Sequence, residues 1–371
     1  MVDKHLRIVL IGPSRDPAKE VAVAGQSTAC YGLLSSQLSD YVDWIIVDTT
    51  IESLTPPLLH RRFFSAAKRM ATYLGIILKG KLDGVLIFTS WGYSLLEKGI
   101  MVFIARLFGK RVIFNPRSGL ILNDFEKSRF MRWFIPSVLC QCNIVMCQSQ
   151  SWKQFYQSIS GLPHDHFAVI PNWIDLEPFL HIPTQRQKGD DRVSILFLGR
   201  IERNKGIFVL AEAIQMFYED FQNCRFIICG MGSELGAFKE KIADLALSHL
   251  FEFRGWVTGS KKIKALQDAD IFVIPSYREG LPNSLLEAMA SELAIVASAT
   301  GGILDVLDDS MGILIQPGDA EALGRAIVEL SKNAELRGQF GQRARSYVLE
   351  NHDINKIWPR LLNMLQANRE K

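Results

Sequence analysis

Short apolar runs alternate with longer segments of helical spacing along most of the chain. In the first half the apolar runs are LRIVLI (Leu6–Ile11), WIIVD (Trp44–Asp48), GVLIFT (Gly84–Thr89), RVIFN (Arg111–Asn115), IVMC (Ile144–Cys147) and FAVIP (Phe167–Pro171). In the second half they are SILFLG (Ser194–Gly199), RFIICG (Arg225–Gly230), FEFRG (Phe251–Gly255), IFVIPS (Ile271–Ser276), AIVAS (Ala294–Ser298) and GILI (Gly312–Ile315). Segments such as GIFVLAEAIQMFYED (Gly206–Asp220) lie between them with helical spacing. Near-continuous Ile, Val, Leu and Phe strands that alternate with helices indicate parallel sheets covered on both faces. The pattern runs twice, and the polar, aperiodic stretch HIPTQRQKGDDR (His181–Arg192) reads as the linker. The expectation is an α/β chain of two doubly wound domains, 1–182 and 183–352, facing a cleft. The last segment, 353–371, has helical spacing interrupted by Pro359 and could pack back on the first domain. Ligands of such sheets bind outside the carboxyl ends of the strands, so chemistry is to be sought just after each strand.

Composition narrows the class. The 371 residues are 48% hydrophobic and 22% charged, ordinary for a globular protein of about two domains. A net charge of +3 is too small to imply nucleic acid. The charge is uneven, +5 for residues 1–185 and −2 for the rest, which suits either an anionic partner for the first half or scatter in small counts. Cys140, Cys142 and Cys147 cluster in apolar sequence without a CxxC pair, and read as buried thiols in a reducing compartment. MVDKHLRIVLIG reads as a first strand and not as a signal peptide, and no run reaches the ~18 apolar residues of a membrane span. The expected location is cytoplasmic. His164 and His166 in LPHDHF read as loop histidines, because no carboxylate or cysteine cluster supports a metal there.

The stretch SYREGLPNSLLEAMA (Ser276–Ala290) sets Glu279 and Glu287 eight residues apart around an apolar segment. Glu279 falls on the loop that ends a strand. Pro282 suits the start of a helix, and Glu287 falls about one turn into it. The free N–H groups of the helix start favour an anion. The arrangement fits a ligand with hydroxyls for each carboxylate and an anionic middle. In LGRIERNKG (Leu198–Gly206), Arg200 and Lys205 lie at the end of another strand, where they can hold phosphate. Gly199 and Gly206 are expected to let the backbone approach closely.

These residues resemble the nucleotide-sugar-binding half of retaining glycosyltransferases of family 4, which have the GT-B fold of two Rossmann-like domains. The resemblance rests on G-R-x4-K-G (Gly199, Arg200, Lys205, Gly206) and on E-x7-E (Glu279, Glu287) within EGLPNSLLEAMA. TGGILDVL (Thr300–Leu307), the P-G-D at Pro317–Asp319 and FRGWV (Phe253–Val257) add to it, over most of Asp191–Glu350. It implies that Arg200 and Lys205 bind the donor diphosphate and neutralise the departing nucleoside diphosphate. Glu287 would take the ribose hydroxyls and Glu279 the transferred sugar. Gly280, Leu281, Asn283 and Ser284 would offer backbone groups, and the loop Gly255–Val257 would flank the base. No metal or cofactor is expected, the nucleoside-diphosphate sugar being a co-substrate. The first half is less similar. Its loop GPSRDPAKEVAVAGQSTACYG (Gly12–Gly32) stands where the family has a Gly-rich loop near the donor phosphates. Gly25, Gln26, Ser27 and Thr28 can present N–H groups there. Where many relatives carry a histidine, FNPRSGL offers Asn115, Arg117 and Ser118, with Arg117 placed for the acceptor or the donor phosphate. IPNWID (Ile170–Asp175) has Trp173 where the family commonly has glycine.

The implied activity is retaining, metal-independent hexosyl transfer to a hydroxyl, in polysaccharide or glycolipid assembly. A nucleotide-sugar epimerase and an inert nucleotide-sugar-binding protein are the alternatives. RRFFSAAKRMATYLGIILKGK (Arg61–Lys81) and FEKSRFMRWFIP (Phe125–Pro136) mix basic and apolar residues. Each reads first as a core-facing helix with a solvated basic face, and also fits peripheral contact with a membrane that holds a lipid-linked acceptor.

Overall fold

The computed structural model describes residues 5–16, 25–50, 59–182 and 192–367. All twelve expected strands form, with ends shifted by two residues at most. In chain order they are β1 Leu6–Gly12, β2 Val42–Asp48, β3 Gly84–Thr89, β4 Val112–Pro116, β5 Ile144–Cys147 and β6 Phe167–Val169. Then follow β7 Val193–Leu198, β8 Cys224–Cys229, β9 Phe251–Gly255, β10 Ile271–Ile274, β11 Ala294–Ser298 and β12 Gly312–Ile315. The two that end two residues early, β6 and β10, stop just ahead of Pro171 and Pro275, which have no N–H to donate to a ladder.

The chain divides into two compact units. One holds the residues up to Trp173 and those from Ile354 onward, and the other holds Ile174–Asp353. The division falls ahead of the polar stretch 181–192 for a packing reason. Trp173 is fully buried among first-unit residues, whereas Ile174, Leu176, Phe179 and Ile182 join a core of the second unit. Residues 183–191 of the expected linker lie outside the described residues.

The first unit is a six-stranded parallel sheet in the order β2-β1-β3-β4-β5-β6. Its helices are α1 Gly25–Ser35, α2 Leu59–Lys79, α3 Tyr93–Leu107, α4 Ile121–Lys127, α5 Arg129–Gln141 and α6 Gln150–Ser160. Side chains of α2, α3, α5 and α6 fill one core of this unit, and those of α1 and the helix Ile354–Gln366 fill the other. The second unit is also a six-stranded parallel sheet, in the order β12-β11-β10-β7-β8-β9. Its helices are α7 Glu177–Leu180, α8 Ile207–Met216, α9 Leu235–Asp244, α10 Gly259–Gln267, α11 Asn283–Ala290, α12 Ala320–Lys332 and α13 Ala334–Asn351; α14 is Ile354–Gln366 of the first unit. The segment expected as one helix over Gly206–Asp220 is α8 followed by a 3-10 turn, Tyr218–Phe221. Of the clustered thiols, Cys142 and Cys147 are buried as expected, but Cys140 is exposed on the outer side of α5; all six cysteines are free.

Candidate active site

In the second unit, β7 and β10 are neighbours, with β8 and β9 on one side and β11 and β12 on the other. The strand order therefore reverses between β7 and β10, the place where doubly wound sheets bind ligands. Both sequence-selected loops leave the sheet there. Backbone contacts lock them together. Gly206 has φ +70°, and a Cβ on it would stand 1.9 Å from the Pro275 carbonyl oxygen. Tyr277 N–H donates to the Asn204 carbonyl at 2.9 Å. Behind them, Gly302 N–H donates to the Gly280 carbonyl at 2.6 Å, and a Cβ on Gly301 would stand 2.0 Å from the Glu279 carbonyl oxygen. Gly199 is not the tight position expected of it. A Cβ there would only reach Phe197 at 4.0 Å, and the close approach is made instead by Gly230, against the Gly199 carbonyl.

The side chains converge in pairs. Lys205 Nζ lies 2.6 Å from Glu279 Oε1, which also accepts from Ser276 Oγ at 2.8 Å. Glu287, in the middle of α11, is 4% exposed, and its Oε1 lies 2.5 Å from Lys262 Nζ of α10. Arg200 is exposed on the loop after β7 and pairs with Glu202 at 2.7 Å. Each buried carboxylate is thus held by one lysine, which offsets the cost of keeping it charged out of water. Pro282 caps α11 without a side-chain hydrogen bond to the first turn, where Asn283 and Ser284 stand. Gly280, Leu281 and Asn283 are buried, and Leu281 is part of the apolar core. Gly255, at φ +65°, has open space where a Cβ would be. Val257 instead turns its side chain into the core, whereas Trp256 beside it is partly exposed and its Nε1 is a buried donor without a hydrogen-bond partner.

Lys262, Ser276, Gly301 and Gly302 were not selected for this role from the sequence. The TGG triplet was visible as a motif, but its contact with Glu279 and Gly280 was not. Lys262 gives no local signal, since its partner lies 25 residues on and the KKIK run reads as a solvated helix face.

The first-unit candidates lie after β1 and β4. Gly25, Gln26, Ser27 and Thr28 form the first turn of α1, and residues 17–24 of the preceding loop lie outside the described residues. Ser27 is buried, and Gln26 Nε2 is a buried donor without a hydrogen-bond partner. Arg117 is not a surface loop residue. It is 9% exposed, with its guanidinium 5.1 Å from the Trp173 ring and 5.5 Å from that of Phe88. Its Nη1 donates to Asn115 Oδ1 at 3.2 Å, and its Nη2 is buried without a partner. Among the described residues it has no carboxylate partner. Burial lowers its pKa to about 10, so it stays charged at neutral pH. Trp173 Nε1 donates to the Ala29 carbonyl of α1 at 3.0 Å and fixes the ring over the arginine. Asn115 Nδ2 donates to the Met146 carbonyl, and Ser118 Oγ accepts from Leu120 N–H within a turn. Neither is free to meet a ligand as directly as Arg117.

Among the described residues no cluster of three or more His, Cys, Asp and Glu is arranged to hold a metal, and no helix is long and apolar enough to cross a membrane.

Residues 181–347 match the family model described as Glycosyl transferases group 1. Over 262 residues the chain is 28% identical to an uncharacterised glycosyltransferase of Methanocaldococcus jannaschii, covering 68% of this chain and 66% of that one. Over 182 residues it is 32% identical to a phosphatidyl-myo-inositol mannosyltransferase of Mycolicibacterium smegmatis, covering 48% of this chain and 46% of that one. The matches span about half to two thirds of the curated relatives' lengths. In structure the chain is similar to Anabaena HepE, solved with UDP and glucose, with a TM-score of 0.74, 16% identity and coverage of 98% and 100%. The fold is that of GT-B glycosyltransferase structures, with two parallel six-stranded sheets and their helices.

Proposed function

We propose that the protein is a group 1 glycosyltransferase that moves a hexose from a nucleoside diphosphate to a hydroxyl acceptor. The observation that carries this is the pairing of two buried carboxylates with two lysines at the strand-order reversal of the second sheet. A nucleoside-diphosphate sugar supplies what those groups lack: hydroxyls for Glu287 and Glu279, and an anionic diphosphate for Lys205, Arg200 and the first turn of α11. The match of 181–347 to group 1 supports the reading, as does the UDP and glucose found in a protein of the same fold.

In the proposed reaction the acceptor oxygen bonds to the anomeric carbon as the bond from that carbon to the diphosphate oxygen breaks. The acceptor proton passes to the leaving phosphate, and the configuration is retained. Charge grows on the departing diphosphate, where Lys205 and Arg200 stabilise it without a metal. Glu279 positions the sugar and Glu287 the ribose. Gly25, Gln26, Ser27 and Arg117 serve the first unit's share of the ligands. The acceptor is a polysaccharide or glycolipid precursor at a membrane face; one of the similar proteins is a phosphatidyl-myo-inositol mannosyltransferase.

The test is a melting panel with UDP, GDP, ADP and their sugar conjugates on wild type and Lys205→Ala, followed by turnover with and without a chelator. One nucleotide class should raise the melting temperature of the wild type only. Transfer should survive chelation and fall at least a hundredfold in the variant, of the order seen when one charge-stabilising donor is lost. Sugar isomerisation without acceptor would identify an epimerase, and binding without turnover an inert protein.

A further inference from the structure

Residues 204–206 and 275–277 face each other where the loops after β7 and β10 meet. A Cβ on Gly206 would stand 1.9 Å from the Pro275 carbonyl oxygen, and Tyr277 N–H donates to the Asn204 carbonyl at 2.9 Å. Lys205 and Ser276 lie between these two locks, so their side chains start from opposed points and reach the same place. Both donate to one atom. Glu279 Oε1 lies 2.6 Å from Lys205 Nζ and 2.8 Å from Ser276 Oγ. Two donors fill the two lone pairs of that oxygen.

The two donors are unequal. The Lys205 side chain is 25% exposed and carries its charge on a flexible four-carbon stem. Ser276 is fully buried, and its hydroxyl hangs from a single carbon on a backbone locked on both sides. An arriving diphosphate draws the ammonium away from the carboxylate, and the hydroxyl cannot follow it. The backbone of Glu279 is fixed separately. Its carbonyl packs on Gly301, and the next carbonyl, of Gly280, accepts from Gly302 N–H at 2.6 Å. The carboxylate end of the side chain is the part left to be held.

We propose that Ser276 is a positioning residue of the transfer, which keeps the Glu279 carboxylate in place against the sugar once the donor diphosphate has engaged Lys205. The proposal rests on the glycosyltransferase reading given above. Ser276 touches neither the sugar nor the reacting atoms and acts through Glu279. Without its hydroxyl, Lys205 still holds Glu279 in the free protein. With a plain nucleoside diphosphate bound, water occupies the place of the sugar and satisfies the carboxylate. With the sugar present that water is displaced, and the carboxylate is left short of a donor, which costs more than an ordinary hydrogen bond contributes. The loss of Ser276 is therefore felt in the sugar-nucleotide complex and not before it.

The experiment is calorimetric titration of the wild type, Ser276→Ala and Ser276→Cys with UDP, GDP and ADP, and with UDP-glucose, GDP-mannose and ADP-glucose. For the nucleotide class that binds, Ser276→Ala should weaken the sugar conjugate by about tenfold to a hundredfold, the range of one hydrogen bond to a charged group. The plain diphosphate should change less than about twofold, within the scatter of a site left intact. Ser276→Cys keeps a weak donor and should fall between wild type and Ser276→Ala. In a Glu279→Ala background, removal of the Ser276 hydroxyl should cost nothing further, because the two residues act as one. Equal weakening of diphosphate and conjugate would make Ser276 a part of the general packing, and additive losses in the double variant would show that it acts elsewhere than on Glu279. Either result overturns the proposal. A wild type that binds none of the six compounds would overturn the glycosyltransferase reading and this proposal with it. Equal binding of a conjugate by wild type and Ser276→Ala would overturn this proposal alone.

Discussion

Arg117 is the residue whose surroundings are least explained by folding. A nearly buried guanidinium with one side-chain hydrogen bond, a stranded Nη2 and no carboxylate partner among the described residues costs stability that two aromatic rings only partly return. Replacement of such a charge by an apolar side chain of similar length should stabilise the unit. Arg117→Met, which keeps the stem between Phe88 and Trp173, is expected to raise stability by about 1–3 kcal/mol in denaturant titration. It should also lower sugar transfer at least tenfold. A variant that is both active and more stable would remove Arg117 from the site, and one that is less stable would make it a structural pin. The sequence placed Arg117 correctly at a strand end but not its burial, because Trp173 and Phe88 reach it from 56 and 29 residues away. Glu279 and Glu287 were legible for the opposite reason. Both belong to one strand–loop–helix unit whose spacing fixes where they fall.

The pairing of α2 with α3 depends on one acid between two bases. Burial alone would raise the pKa of Glu97, but the hydrogen bonds from Arg69 and the charge of Lys98 prevail and hold it below the usual carboxylate range. A carboxyl whose pKa is lower in the folded state contributes stability above its unfolded value of about 4.3, and that contribution is lost as pH falls through the folded value. The wild type should therefore lose stability on acidification below about pH 4, and Glu97→Gln should flatten that limb. At pH 7 the variant should be destabilised by about 3 kcal/mol, because Lys98 is left buried without its partner. Urea midpoints across pH would show this, and parallel curves for the two proteins would refute it. Strands such as GVLIFT were read to the residue because both faces are buried and no polar position interrupts them. The Arg69–Glu97 clamp was not legible, since it joins two helices whose relative register is set only when both pack on the sheet.

The two units differ in how they are closed. The second closes on itself within Ile174–Asp353, with Ala344 and Val348 of α13 in its core. The first is completed by the last helix of the chain. Ile354, Ile357, Leu361, Met364 and Leu365 of α14 are buried with Leu6, Ile8, Leu38 and Val42. Trp358 stacks on Tyr41 at 5.5 Å, and Arg111 donates to the carbonyls of Met364 and Leu365. At roughly 1.5–3 kcal/mol per buried aliphatic side chain, five of them amount to the whole stability of an ordinary domain. Truncation after Asp353 is therefore expected to unfold the first unit and leave the second intact. Hydrogen exchange should show the amides of β1 and β2 unprotected and those of β7, β10 and β11 unchanged. The same truncated chain separates the two halves of the proposed function. If the donor groups reside where Lys205, Glu279, Lys262 and Glu287 stand, nucleotide should still stabilise the surviving unit while transfer is lost. If nucleotide binding disappears together with the protection of β1, then the first turn of α1 is as much a part of the donor site as the paired carboxylates are.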